Sequence, residues 1–319
     1  MGIMAPDFSG QRQQGAAIIV ALLVTALAAA LAASLLVDMD DWLEHVTLSR
    51  DKAASRELAY SAIDYARVVL ADDERHSAVD TLDEQWNRVL PPINAENNEL
   101  QGQIVDLQGR WNLNNLLRAG VIDEEALAVY RRLLIGLGSA PETANQLADA
   151  LADWIDNDDS RRAAGAENDY YQALDPAYPT ANHALDQLSN LRRVKGYTAA
   201  LIERLSPYVA VLPGRQPVNV NTAPAEVLQA VQPGLGMAAA RQLVQSRQAA
   251  YFRDLADFRS RLPDPNLPEG GTPLAVNSNY FLVSTSARIN PPTGVQTRLL
   301  ALLHRPPGGQ PALLWMSQQ

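Results

Sequence analysis

The chain opens on one long apolar stretch and closes on short alternating segments, with helical periodicity between them. From Ala16 to Val37 no residue is charged, and Thr25 and Ser34 are the only hydroxyls. At ~1.5 Å per residue this run makes a helix of roughly 33 Å, about one hydrocarbon core. Asp38, Asp40, Asp41 and Glu44 end it. No Pro falls between Pro6 and Pro91 and no Gly between Gly15 and Gly102, so the pattern predicts one helix from about Ala16 to about Leu70. Leu58, Ala62, Tyr65 and Val69 recur at spacings of four, three and four. That stripe is expected to lie on a globular domain.

Asp72 to Leu100 reads as a polar loop with one short helix around Glu84–Val89, and Gln103–Leu107 alternates as a strand. Asn112 to Leu205 is helical in pattern. Ala126, Val129, Tyr130, Leu133 and Leu134 mark one face; Ala144, Leu147, Ala148, Leu151 and Ile155 mark another. Leu185, Leu188 and Leu191 suggest a third short helix, and Leu201 and Leu205 a fourth. Val209–Leu212 is a short strand candidate. Ala225–Arg247 is helical around Pro233-Gly234-Leu235-Gly236, Leu255–Leu262 is a short helix, and Asp264–Pro273 is a loop. Asn279–Ile289, Val295–His304 and Pro311–Trp315 read as strands parted by Pro/Gly turns. The fold class is α+β: a long helix and a small antiparallel sheet carrying an inserted helical domain. Inside that insertion, Trp111-Asn112-Leu113-Asn114-Asn115-Leu116 is echoed by Val218-Asn219-Val220-Asn221-Thr222-Ala223. In both, alternating Asn precedes a helix, where it can cap free N–H groups.

Composition narrows the function. Net charge is −10, which disfavours a general nucleic-acid surface. The absence of Cys excludes disulfides, thiolate catalysis and Cys-ligated zinc. The four His fall in unrelated segments and no catalytic set stands out, so no enzyme is expected.

Trp154-Ile155-Asp156-Asn157-Asp158-Asp159-Ser160 leads through Gly165-Ala166-Glu167-Asn168-Asp169 to Tyr170-Tyr171. Clustered carboxylates suit a hard cation such as Ca²⁺, which takes about six to eight oxygen ligands. An EF-hand is rejected, because Arg161 stands where its turn needs Gly. The competing reading is a solvated acidic turn. A second motif, Val218–Ala223 with Pro233-Gly234-Leu235-Gly236 and Ala240, resembles the helix-hairpin-helix of DNA-uptake proteins. Arg241, Arg247 and Arg253 lie nearby, but no basic residue falls between Pro233 and Ala240.

Arg12, the only basic residue before the apolar run, puts the N-terminus in the cytoplasm. A signal peptide or a plain anchor would account for the run. The order Arg12-Gln13-Gln14-Gly15 followed directly by Ala16 resembles a type IV prepilin leader. That resemblance implies cleavage between Gly15 and Ala16 by prepilin peptidase and N-methylation of Ala16. Pilins and pseudopilins usually carry Glu at the fifth mature position; here that position is Val20, a departure that fits a filament tip. With the Trp-Ile-Asp-x-Asp-Asp … Gly-Ala-Glu-x-Asp-Tyr-Tyr pattern and the Asn-x-Asn-Thr-Ala segment, the chain resembles the general secretion pathway protein K family. These are the large minor pseudopilins of type II secretion. The resemblance implies a pilin-like fold, a Ca²⁺ site with Asp156, Asp158, Glu167 and Asp169 as first choices and Asp159 after them, and no nucleic acid. It implies minor pseudopilins I, J and H as partners, with an inner-membrane assembly platform. It also implies a single-pass inner-membrane protein whose C-terminal domain is periplasmic and caps the pseudopilus. The expected division is a leader over 1–15, helix over 16–72, pilin-like parts over 73–110 and 276–319, a helical insertion over 111–206 and a second helical unit over 207–275. The alternative is a membrane-anchored periplasmic helix-hairpin-helix DNA-binding protein.

Overall fold

The structure is a computed structural model and describes residues 2, 10–88, 93–95, 98–291 and 294–319. Most of the expected leader, Val89, Pro91-Pro92 and Pro292-Thr293 lie outside the described residues. Helix α1 runs Gly10–His76, so it starts before Ala16 and continues past Leu70. Nothing in the flanks breaks the ladder, and in the last turn the Arg75 side chain also donates to the Ala71 carbonyl (3.1 Å). From Ala16 to Arg50 the helix is exposed throughout. Beyond that it packs on a sheet, but the buried stripe is Ala59, Ile63, Ala66 and Leu70, one residue round from the expected one. Small Ala side chains let the backbone approach the sheet closely, while Tyr65 is left outside.

The sheet comprises β1 (Ile93–Ala95), β2 (Asn98–Asp106) and three later strands. The expected loop before Leu100 is therefore partly a hairpin, with Ile93 opposite Leu100. Its polar residues hide it from a periodicity argument; backbone pairing holds it, since Asn98–Asp106 is zipped to a later strand over its whole length.

The chain then leaves the sheet. β3 (Trp111–Asn112), β4 (Leu117–Arg118) and β5 (Val121–Ile122) lead into α2 (Glu124–Gly136), α3 (Pro141–Ile155), α4 (Asn168–Gln172) and α5 (Ala199–Leu205). β6 (Val209–Ala210) closes this unit by pairing in parallel with β3. A second unit runs from β7 (Val218–Asn219) through α6 (Ala225–Val231), α7 (Met237–Ala249) and α8 (Leu255–Ser260) to β8 (Leu274–Ala275), parallel to β7. The faces predicted for α2 and α3 are buried in one core shared by both units. β9 (Tyr280–Ile289), β10 (Gln296–His304) and β11 (Ala312–Gln318) complete an antiparallel sheet of order β1-β2-β9-β10-β11.

The Asn echo is structural. Asn114 clasps the Leu185 backbone at both N–H and C=O (each 2.9 Å), as Asn221 clasps Phe252 (2.8 and 2.9 Å). This explains why the expected helix over Leu185–Leu191 is only a 3-10 turn over Leu188–Arg193. Leu185 is buried, but its backbone groups belong to Asn114 rather than to a helix.

The insertion sits at one end of the sheet. Ser55, early in the packed half of α1, meets Thr297 (2.6 Å) at the opposite end. Near the insertion, Arg305 is buried against Asp80 (2.5 and 2.7 Å) and Asp73 (2.8 Å). The buried Asp106 at the end of β2 accepts from Thr222 Oγ1 (2.5 Å), Ser278 Oγ (2.7 Å), Asn219 Nδ2 (3.3 Å) and Gln108 N (2.7 Å). These contacts fix the second helical unit to the sheet. Gly109 lies so close to Thr222 that a Cβ there would come 2.7 Å from Oγ1.

Candidate functional site

α3 is amphipathic, and its last turns bring Asp149, Asp153 and Asp156 into the interior. Asp149 pairs with Arg131 at 2.6 Å. Asp153, fully buried, accepts from the Arg162 N–H (3.1 and 3.3 Å), and Gly165 packs against its carboxylate where no Cβ fits. The chain then loops over residues 156–167 and returns through α4. Glu167 is 4% exposed at the N-terminal boundary of α4, yet its side chain caps nothing.

The site is defined by what its oxygens lack. Asp156 Oδ1 and both Glu167 carboxylate oxygens are buried without a hydrogen-bond partner. Asn182 Oδ1 is in the same condition. Asn182 adopts a left-handed φ of 50° and donates its N–H to the Trp154 carbonyl (3.1 Å), two residues before Asp156. Buried polar atoms are nearly always paired, and an ionised carboxylate without a partner is the costliest exception. Burial, then the nearby Asp153 and Asp156, pushes the Glu167 carboxyl up to about 7. Burial, then Asp158 and Asp153, pushes Asp156 up to about 6. A bound cation would satisfy these oxygens and reverse both shifts. The donor set fits a hard cation.

The other expected ligands stand differently. Asp158 is exposed and closes a local turn by accepting from the Ser160 N–H (2.8 Å). Asp159 is exposed near Glu167. Asp169 is exposed, accepts from the Tyr170 N–H (2.8 Å) and pairs with Arg161 (3.1 Å). Asn182 and Asp153 were not anticipated from sequence. Neither had a signal: Asp153 falls on the face of α3 opposite the apolar stripe and is buried because the loop after α3 folds over it, and the role of Asn182 depends on how that loop folds back. Among the described residues, the acids whose oxygens come within 4.8 Å of one another as a trio are Asp73, Asp80 and Glu84, but there Arg305 already supplies the cation.

In the helix-hairpin-helix segment, Gly234 has a φ of 81°. Gly270 lies under the Val231 carbonyl, so the loop over 264–273 covers the hairpin. Arg247 is buried and donates to the Val220 (2.7 Å) and Ala223 (2.6 Å) carbonyls. Burial lowers its guanidinium to about 10. At the other end of the chain, Gly15 and Ala16 lie within α1, and Val20 is exposed on it. The described part of α1 from Ala16 is long and apolar enough to cross a membrane.

Two stretches match the family described as type II secretion system (T2SS), protein K: residues 109–214 and residues 218–279. Type II secretion system protein K of Pseudomonas aeruginosa is 32% identical, over 85% of this chain and 83% of the relative. The protein K of Klebsiella pneumoniae is 34% identical, over 86% and 88%. Among solved structures, a chain of the GspK-GspI-GspJ complex from the enterotoxigenic Escherichia coli type 2 secretion system superposes with a TM-score of 0.71 at 24% identity. That match covers 86% of this chain and 99% of the other, and it shares the pilin-like α+β fold. The chain belongs to the protein K family of type II secretion systems.

Proposed function

We propose that this minor pseudopilin is the terminal subunit of the type II secretion pseudopilus, starting its assembly, capping its tip and supporting export of folded proteins across the outer membrane. The observation that carries this reading is the position of the insertion. Its chain leaves after Asp106 and returns before Tyr280, at the end of the sheet remote from the exposed apolar half of α1. With α1 in the inner membrane, the two helical units form a periplasmic head above the sheet. A head of that bulk obstructs the addition of a further subunit above it.

Val20 supports the same reading. An intramembrane carboxylate is costly unless paired, so a subunit with nothing above it has no use for one. After prepilin peptidase cuts between Gly15 and Ala16, the methylated Ala16 amine meets a carboxylate of the subunit below. The protein K in the solved complex is with I and J, and we extend these partners to this chain, with H next and the inner-membrane platform beneath. In the head, Ca²⁺ is held by Asp156, Glu167 and Asn182, with Asp158 and Asp159 at the rim. Bound there, Ca²⁺ links α3, the start of α4 and the loop between α4 and α5, so its work is to stiffen the head. DNA binding is the weaker reading, because the hairpin is covered and Arg247 is used internally.

The test is assembly. A soluble piece must begin near Asp51, since Ser55, Ala59 and Ile63 are buried. That piece, mixed with I and J, should give a one-to-one-to-one complex and no homopolymer. Cysteines on the mature helix should crosslink to those partners in membranes; ladders of this chain with itself would refute the tip position.

A further inference from the structure

The sheet face turned away from α1 has its own chemistry. Trp86, Trp111 and Trp154 are core residues, but Trp315 on β11 is 37% exposed. It belongs to none of the aromatic pairs among the described residues. Its register partner on β10 is Leu302, so it shares a face with Leu302, Leu300 and Arg298. Beyond Leu300 that face becomes a shallow depression of about 390 Å³ floored by Gln101, Gln103, Ser284, Ser286, Arg298 and Gln319. Gln101 and Gln103 are exposed, and Gln296 bridges the Ser286 hydroxyl (2.7 Å) and the Arg298 guanidinium (3.4 Å).

Charge on this face is lopsided for a chain of net charge −10. Arg288 stands 3.8 Å from Glu99, whereas Arg298, among the described residues, has no carboxylate within pairing distance. One guanidinium, bonded to the Gln296 amide but to no carboxylate, thus sits in a field of amides and hydroxyls, with an indole at the far end. Arg298 and Leu302 are four residues apart on one strand, ~13 Å at ~3.3 Å per residue.

From this juxtaposition we propose that the outer sheet face binds a polysaccharide of pyranose rings bearing carboxylates. The apolar face of one ring lies on the Trp315 indole. Hydroxyls along the chain exchange hydrogen bonds with Gln101, Gln103 and Ser284, which both donate and accept. A carboxylate meets Arg298, for which charge complementarity selects an acidic over a neutral polymer. The binding is weak per ring and adds up along the polymer.

The test is affinity electrophoresis of the full chain in detergent, in native gels containing soluble polygalacturonate or neutral dextran. Migration should slow with polygalacturonate and not with dextran. Trp315→Ala should weaken the retardation about tenfold, equivalent to ~1.4 kcal/mol. Gln103→Glu changes an exposed position without touching the core, so it keeps the test alive should Trp315→Ala fail to fold. It should abolish retardation by repelling the polymer. Retardation of wild type by neither polymer, equal retardation by both, or retardation that survives Gln103→Glu and Arg298→Gln would each overturn the proposal.

Discussion

Two buried acid clusters in this chain resolve the same electrostatic problem in opposite ways. At the junction between sheet and insertion, Asp73 and Asp80 surround Arg305, and Asp106 is met by hydroxyl, amide and backbone donors. In the head, Asp156 and Glu167 are equally buried, but Asp156 Oδ1 and both Glu167 oxygens meet no donor. Proximity of carboxylates is therefore a poor guide to a cation site here. The tight trio, Asp73, Asp80 and Glu84, is closed by a guanidinium, while the looser set is the one left unsatisfied. The junction closes its acids as folded; the head leaves buried acceptor oxygens open, which the proposed Ca²⁺ would fill.

The largest effect should come from breaking the completed cluster. Arg305→Met leaves Asp73 and Asp80 buried without their cation, and should cost about 3–5 kcal/mol in urea unfolding, with or without Ca²⁺. In the head the sign should reverse. Glu167→Gln removes an unpartnered charge, so in chelator it should stabilise the protein by on the order of 1 kcal/mol. In Ca²⁺ the same change should destabilise it relative to wild type. Asn182→Ala should lower Ca²⁺ affinity by about tenfold, or ~1.4 kcal/mol, in calorimetric titration. Asp169→Asn should alter stability by less than about 0.5 kcal/mol, since its ion pair with Arg161 is exposed.

Both clusters carry carboxyls raised mainly by burial, Asp73 to about 6 and Glu167 to about 7, so what should tell them apart is the effect of Ca²⁺ on the pH slope. Burial raises Glu167 from 4.5 to about 7, so the folded, cation-free chain holds a proton that the unfolded chain has released. Its stability should fall as pH rises through that window. Ca²⁺, which keeps the carboxylate ionised, should flatten the slope in thermal melts; an identical slope with and without Ca²⁺ would remove the distinction.

As a type II secretion protein K, the chain is a structural component of that machine and not an enzyme. Much of its architecture was legible in the sequence. The unbroken α1, the apolar faces of α2 and α3 and the closing meander follow from periodicity and turn chemistry. The β1–β2 hairpin was not, because its pairing is a backbone property that polar side chains conceal. The rotated α1 stripe was missed for a related reason: Ala59 and Ala66 bury little area but set the helix-to-sheet distance. In the candidate site, the acidic loop was legible from its clustered carboxylates, and Asp156 and Glu167 were among the ligands that the family resemblance implied. Asn182 was not, because it reaches the loop only through tertiary folding and a left-handed backbone.

The most direct test of the central contrast is a melting curve of the soluble piece from about Asp51, with Ca²⁺ at about a hundredfold over its Kd and again in chelator. Binding to the folded state alone should add ~2.7 kcal/mol and raise Tm by several degrees. The rise should vanish in the Asp156→Ala, Glu167→Ala double variant and persist in Asp169→Asn. A wild-type curve unchanged by Ca²⁺ would mean that the head closes its acids without a cation, and would contradict the account.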